Sequence, residues 1–198
     1  MDTPAEPIRT EIEVRRSRFI THIVPLANRA EAEAEISRRR GEYADASHVV
    51  YAFITGDPRS EVSGMSDDGE PKGTAGRPVM EILKGSGLTN TLVTVVRYFG
   101  GTKLGTGGLV RAYGDAARAG LALVRRVPYR LFREYKLTCP YELHQAVRTV
   151  LSDAGAEIQH EAFLEQVMIQ VALEEGAEDS VSAALRDVSR GTLILFPV

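Results

Sequence analysis

A glycine-rich passage between Val95 and Leu109 has the residue types and spacing that suit anion binding. Five glycines in the nine residues from Gly100 to Gly108 let the backbone approach a ligand closely. Thr106, a favoured N-cap residue type, lies just before a predicted helix that would add free N–H groups at its positive end. Because phosphate groups bind at helix starts of this kind, the passage predicts a phosphate site.

Two familiar phosphate motifs are excluded in this passage. A Walker A loop needs Gly-Lys-Ser/Thr at a fixed distance after its first glycine, and a dinucleotide turn needs a glycine where Val110 stands. The alternative interpretation is a tight crossover in which the glycines only allow close packing of strand and helix. The residues predicted to bind a nucleic-acid phosphate are Arg97, Gly100, Gly101, Lys103, Gly105, Thr106, Gly107, Gly108 and Arg111.

A second candidate segment contains three carboxylates within four residues, at Asp67, Asp68 and Glu70, before another glycine-rich helix start. Like charges this close repel one another unless a cation or a basic group lies among them. The alternatives are solvated loop acids, caps of the helix start, or a magnesium site, and no metal or other cofactor is predicted. We expect the segment to form the rim of the same cleft, with rim residues His48, Asp67, Asp68, Glu70, Lys72, Thr74 and Gly76.

The elements that must position these residues follow from hydrophobic periodicity. An aperiodic stretch over 56–73 predicts a long loop, and long ordered loops are usually functional. Pro128 is expected to stop the last helix of this region. The predicted order is strands at Ile12–Val14 and Phe19–Val24, a helix over 28–42, a strand at His48–Thr55, a helix at Thr74–Leu83, a strand at Thr91–Phe99 and a helix at Leu109–Arg126.

The C-terminal third alternates cleanly between periods of 2 and 3.6, and its order is βαββαβ. Apolar residues on one side of 163–173 predict a long strand, and Leu193–Phe196 is expected to close the sheet. This pattern predicts a ferredoxin-like domain. The fold class is therefore α+β, with one domain over 1–128 and a second over 131–198.

Composition and charge restrict the class of protein. The 198 residues are 43% apolar and 26% charged, with one cysteine, Cys139, which excludes an intramolecular disulfide and a cysteine-built zinc site. No apolar run reaches the roughly 18 residues of a membrane span, so no membrane partner is expected.

The two parts of the chain differ in charge. Residues 1–130 have 19 Lys/Arg against 16 Asp/Glu (net +3), and residues 131–198 have 5 against 11 (net −6). An anionic partner should therefore meet the N-terminal part.

These motifs resemble the YigZ/IMPACT family of cytoplasmic proteins, in its bacterial two-domain form. The resemblance covers residues 10–126, and the C-terminal part matches more loosely. The residues that carry it are Ser17-Arg18-Phe19-Ile20, His48 with Tyr51-Ala52, Asp67-Asp68-Gly69-Glu70-Pro71, Gly73-Thr74-Ala75-Gly76-Arg77-Pro78, Arg97-Tyr98-Phe99-Gly100-Gly101, Lys103-Leu104-Gly105, Gly107-Gly108-Leu109 and Arg111-Ala112-Tyr113.

The resemblance implies an N-terminal α/β domain like those of several ribosomal proteins and of domain IV of elongation factor G, followed by a ferredoxin-like domain. Elongation factor G carries the same two folds in the same order, which by analogy points to RNA or the ribosome as partner. The family's eukaryotic relatives are linked to translational control, so the resemblance also implies a role in translation regulation. The family also implies a cytoplasmic location.

Two hypotheses of function remain open at this point. In the first, Arg97, Lys103 and Arg111 with the amides of 105–108 bind nucleic-acid phosphates, and Tyr98 or Phe99 stacks on a base if its ring is exposed. In the second, the same turn holds a phosphorylated small molecule, while His48 and the carboxylates of 67–70 supply acid–base or magnesium chemistry. The excess of basic residues favours the first.

Overall fold

The structure is a computed structural model that describes residues 1–57 and 59–198, so Pro58, within the predicted loop, lies outside the described residues. The chain divides into two units, Met1–Tyr129 and Arg130–Val198. No helix in the described residues is long and apolar enough to cross a bilayer.

The first unit contains seven strands and three helices within its described residues. Asn28 caps its first helix, because its Oδ1 accepts a hydrogen bond from the Glu31 N–H at 3.0 Å. In chain order the elements are β1 (Asp2–Pro4), β2 (Ile8–Val14), β3 (Ser17–Pro25), α1 (Arg29–Glu42), β4 (His48–Thr55), β5 (Val62–Ser66), α2 (Gly76–Gly85), β6 (Thr91–Tyr98), α3 (Thr106–Leu121) and β7 (Arg126–Pro128).

Five of these strands form an antiparallel sheet in the order β2-β3-β6-β4-β5. The central strand β6 is buried over nearly its whole length, which explains its continuous run of β-branched residues. Helices α2 and α3 cover one face around Phe19, Leu83 and Tyr113. Helix α1 covers the other face through Ala32 and Ile36. The central strand thus ends next to the start of α3.

The second unit has the predicted βαββαβ order and one sheet, β11-β8-β10-β9, with antiparallel neighbours. Its core contains Leu137, Val147, Ile169 and Leu185. The α+β class and the ferredoxin-like strand order are confirmed. The elements are β8 (Phe132–Cys139), α4 (Tyr141–Asp153), β9 (Glu157–Phe163), β10 (Val167–Glu174), α5 (Glu178–Ser189) and β11 (Phe196–Pro197).

Two predicted boundaries of the last helix in the first unit were wrong. Helix α3 begins at Thr106 rather than Leu109, with Gly105 as its N-cap, and it ends at Leu121. The residues that follow leave the helix because β7 pairs with β1, with Thr3 opposite Val127. Pro128 therefore lies in a strand and does not terminate the helix.

Other differences arise from pairing that local periodicity does not report. The predicted loop over 56–73 contains β5, which forms a hairpin with β4. The strand predicted over 163–173 begins only at Val167, because Phe163 ends β9 and a turn between Leu164 and Gln166 reverses the chain. The closing strand β11 is only Phe196–Pro197.

Candidate functional site

The turn after β6 is held in place by the β2–β3 turn. The Gly100 N–H donates a hydrogen bond to Ser17 Oγ at 3.1 Å. A Cβ at Gly100 would lie 2.0 Å from the carbonyl carbon of Arg16, so only glycine fits this approach. The Phe99 N–H donates to Ser47 Oγ at 3.2 Å on the other side. These contacts fix where the glycine-rich passage begins.

Helix α3 starts without any internal partner for its first amides. Its N-cap, Gly105, has φ of 74°, which favours glycine, and provides no side-chain cap. The Leu109 N–H closes the first turn on the Gly105 carbonyl at 2.9 Å. The preceding N–H groups, over 106–108, have no partner inside the helix. No acidic residue lies in the first turn, so the positive end of the helix is uncompensated.

Exposed cations surround this helix start. Lys103 and Arg111 are exposed and form no ion pair within the described residues. Arg15, also exposed, lines a cavity of about 330 Å³ together with Arg111, Gly107 and Gly108. Sequence reasoning missed Arg15, because only the pairing of β2 with β3 brings that turn to α3. The Arg15-Arg16 pair between two strands was the available signal.

Arg97 is buried beside the helix start and paired with Glu70. Its Nη1 donates to Glu70 Oε1 at 2.6 Å, and Tyr113 Oη donates to the same oxygen at 2.9 Å. Burial, with the neighbouring Glu70 charge, raises the pKa of Tyr113, so its hydroxyl stays protonated. The guanidinium lies between the Phe19 and Phe99 rings, 5.6 and 5.7 Å from their centroids. Its buried Nε has no hydrogen-bond partner.

A cavity of about 390 Å³, which we call the α3 cavity, opens between these groups. It brings together four predicted phosphate-binding residues and adds Phe99, whose ring is half exposed. The predicted Gly107 and Arg111 instead line the two adjacent cavities. The α3 cavity is lined by Glu70, Pro71, Arg97, Phe99, Leu109 and the segment 103–106.

The carboxylates of the acidic segment 67–70 form hydrogen bonds and ion pairs with other groups of the protein. The Asp67 carboxylate accepts the N–H groups of Gly73, Ala75 and Gly76 at 2.7, 3.0 and 2.8 Å and so caps α2. Burial opposes ionisation of Asp67, but these three hydrogen bonds outweigh it and lower its pKa below the ordinary value. The start of α2 therefore holds an anion that the chain itself provides.

The other two carboxylates have separate partners. Asp68 accepts the Val49 N–H at 2.7 Å and pairs with Arg40 at 2.6 Å. Glu70 is the partner of Arg97 described above. Within the described residues no group of His, Cys, Asp or Glu is arranged to hold a metal ion. The repulsion expected from the sequence is relieved by backbone amides and arginines.

His48 lies next to this segment. Its Nδ1 is 2.8 Å from the carbonyl oxygen of Asp68, which makes Nδ1 the donor. Its Nε2 is 3.7 Å from Glu70 Oε1. Of the remaining rim residues, Thr74 donates its hydroxyl to the Pro71 carbonyl at 2.6 Å. Lys72 and Gly76 line a different cavity, of about 560 Å³.

The two helix starts share one groove but are not equivalent. Pro78 of α2 and Gly107 of α3 line the same cavity, of about 480 Å³. Within the described residues, Asp67 accepts the Ala75 and Gly76 N–H groups at the start of α2, whereas no carboxylate of the chain occupies the first amides of α3.

The chain combines two known domains. Residues 15–121 match the Impact N-terminal domain, and residues 137–192 match a domain of unknown function, DUF1949. The chain belongs to the IMPACT family.

Several relatives match it along nearly their full length. The IMPACT family member YigZ of Escherichia coli K12 is 37% identical over 196 residues, covering 98% of this chain and 96% of the relative. An IMPACT family member of Haemophilus influenzae is 35% identical, covering 97% and 94%. A crystal structure described as that of a hypothetical protein superposes with a TM-score of 0.77 at 37% identity, covering 100% and 96%. The relatives therefore share both domains.

Proposed function

We propose that this protein binds the phosphates of RNA, free or within the ribosome, and acts in the cytoplasm in the regulation of translation. The observation that carries the proposal is the uncapped start of α3, which faces the α3 cavity beside the unpaired Lys103. Helix starts of this kind bind phosphate through N–H groups and the helix dipole. Arg15 and Arg111 extend the positive surface around this start.

The geometry favours binding over catalysis. The enzymatic alternative needs an acid or base that is free to exchange protons with a substrate. Each carboxylate of 67–70 already accepts at least two hydrogen bonds or ion pairs, so within the described residues of this set only His48 Nε2 stays outside a hydrogen bond, and no carboxylate is free to act with it. A phosphate-binding role uses only the free amides and cations.

The test is the salt dependence of RNA binding. The double variant Lys103→Ala/Arg111→Ala removes two candidate phosphate contacts, and each contact to a single strand contributes about 0.7 to the slope of log affinity against log salt. We expect the slope to flatten by about 1.4 and the affinity to fall for every RNA sequence, measured by fluorescence anisotropy at several salt concentrations.

The matched control removes the same residue types elsewhere. Lys84 lies in the last turn of α2, and Arg38 lies on α1 with its side chain half exposed. Arg38 pairs with Glu35 at 2.8 Å but keeps about half of its side chain exposed, whereas the neighbouring Arg39 is unsuitable because it is buried. Equal losses in Lys84→Ala/Arg38→Ala and in the test variant would refute a local site, and absence of wild-type binding at about 50 mM salt would refute RNA binding altogether.

A further inference from the structure

The α3 cavity has features that an extended phosphate backbone does not require. It is concave, and most of its wall is apolar, formed by Pro71, Phe99, Leu104 and Leu109. Its volume of about 390 Å³ lies in the range of small-molecule sites, about 300 to 1,000 Å³. Contacts to internal backbone phosphates need only a positive surface.

The cavity also contains polar groups. Lys103 and the free N–H of Thr106 lie at the start of α3. Arg97, with only 7% of its side chain exposed, lines the same cavity, and its Nε lacks a partner. Its charge is balanced by Glu70, so the net positive potential comes from Lys103 and the helix.

Helix α2 demonstrates what such a start binds in this fold. The N–H groups of Gly76, of the N-cap Ala75 and of the preceding Gly73 hold the Asp67 carboxylate at 2.7 to 3.0 Å. The amides of α3 have no carboxylate from the chain, so an anion from outside has an equivalent place there. In the α3 cavity the Thr106 N–H and the Lys103 ammonium can donate to the unesterified oxygens of a terminal phosphate, which has three of them, whereas an internal phosphodiester has two.

Phe99 provides an aromatic surface in the same cavity. Its ring is 52% exposed. Arg97 holds the ring at 5.7 Å, and the hydrogen bond from the Phe99 N–H to Ser47 fixes the backbone. A half-exposed aromatic ring beside a phosphate site is suited to stacking with an unpaired base.

We infer that the α3 cavity binds the phosphorylated terminal nucleotide of a single RNA strand, with the phosphate on the start of α3 and the base against Phe99. This inference rests on the proposed function and assigns its site to strand ends. The base must be unpaired to reach the ring, so duplex ends are excluded.

The test compares one RNA sequence, internally labelled, with a 5′-phosphate, with a 3′-phosphate and with hydroxyls at both ends. Hydrogen bonds to a charged group predict that one phosphorylated end binds about tenfold to a hundredfold more tightly than the hydroxyl form. The end that gains affinity identifies the terminus. In a competition experiment, the unlabelled phosphorylated strand and a free nucleoside monophosphate each displace the labelled strand. If both compete at the same concentration, the assignment of the cavity to a strand end is overturned.

Two variants at Phe99 separate stacking from folding. Phe99→Tyr keeps an aromatic ring and should retain the preference for the phosphorylated strand. Phe99→Leu keeps an apolar side chain, and its affinity for that strand should fall about fivefold or more, as for loss of one base stack. Equal affinities of the Tyr and Leu variants would overturn the stacking role.

The outcomes distinguish this inference from the proposed function. Binding of all three strands with equal affinity would overturn the terminal site and leave phosphate binding in place. Absence of binding to any strand would overturn both.

Discussion

The buried pair of Arg97 and Glu70 should dominate the stability of the first unit. We predict that Glu70→Gln, which keeps the shape of the side chain and removes its charge, lowers the free energy of unfolding substantially. Only 4% of the Glu70 side chain and 7% of the Arg97 side chain are exposed, so water cannot replace the lost carboxylate. Breaking a buried pair on one side typically costs about 3 to 5 kcal/mol.

The magnitude can be checked against an exposed pair of the same type. Arg77 and Glu81 lie 2.9 Å apart on α2, with 70% and 63% of their side chains exposed. Exposed pairs contribute about 0 to 1 kcal/mol, so Glu81→Gln should have little effect. Urea unfolding followed by circular dichroism measures both variants, and the midpoint of Glu70→Gln should decrease by about 1 to 3 M at typical m-values.

A double variant tests the cause of the loss. Arg97→Met combined with Glu70→Gln removes both charges, and replacement of a whole buried pair by uncharged groups is often nearly neutral. We therefore expect the double variant to be more stable than Glu70→Gln alone. If Glu70→Gln costs less than about 1 kcal/mol, or if the double variant is the less stable one, a buried charge left without compensation is not the explanation.

Further predictions concern backbone approach, capping, burial and the second unit. Gly100→Ala should lower the free energy of unfolding by about 3 kcal/mol, because the new Cβ would clash with the backbone of Arg16. Gly107→Ala should raise it by about 0.5 kcal/mol, because no atom lies within 4 Å of the new Cβ. Thermal unfolding compares the two variants, and equal effects would contradict the close approach at Gly100. Asp67→Asn should cost about 1 to 2 kcal/mol at pH 7. Because folding lowers the pKa of Asp67, the difference in unfolding free energy between Asp67→Asn and the wild type should vanish as the pH falls through that pKa. A difference that does not depend on pH would exclude a charged cap. Burial and the nearby Arg39 lower the pKa of His22 to about 4. The free energy of unfolding of the wild type should therefore fall by up to about 3 kcal/mol as the pH drops from 6.5 towards 4. Urea titrations at several pH values should show a smaller decline for His22→Gln. Residues 130–198 expressed alone should unfold cooperatively, and a random-coil circular dichroism spectrum would contradict this.

Local periodicity predicted the strands and helices that bury one clear face. Helix α1 and the βαββαβ order of the second unit follow directly from their apolar stripes. The strand β7 could not be predicted, because its conformation depends on pairing with β1, more than 120 residues earlier. The strand β5 was missed because Val62 and Met65 face solvent at a sheet edge and leave no apolar alternation.

The candidate site was predictable in its residue types and not in its partners. Glycines and cations near α3 were visible in sequence. The role of Asp67 as a cap and of Glu70 as the partner of Arg97 depends on side chains meeting across elements. Arg15 enters the site only through tertiary packing, and the sequence could not decide between Tyr98 and Phe99 for stacking, because it does not report which ring is exposed.

The residues that hold the walls of the α3 cavity in place lie far apart in the chain, so the cavity forms late in folding. Ser17 meets Gly100 across 83 residues, and Glu70 meets Tyr113 across 43. Such contacts form slowly, because the entropy of closing long loops is lost before the contacts provide stabilisation. During synthesis the cavity cannot form until Tyr113 has left the ribosome. A ligand of this cavity therefore binds only the finished unit, and at one hundred times its Kd it would stabilise that unit by about 2.7 kcal/mol.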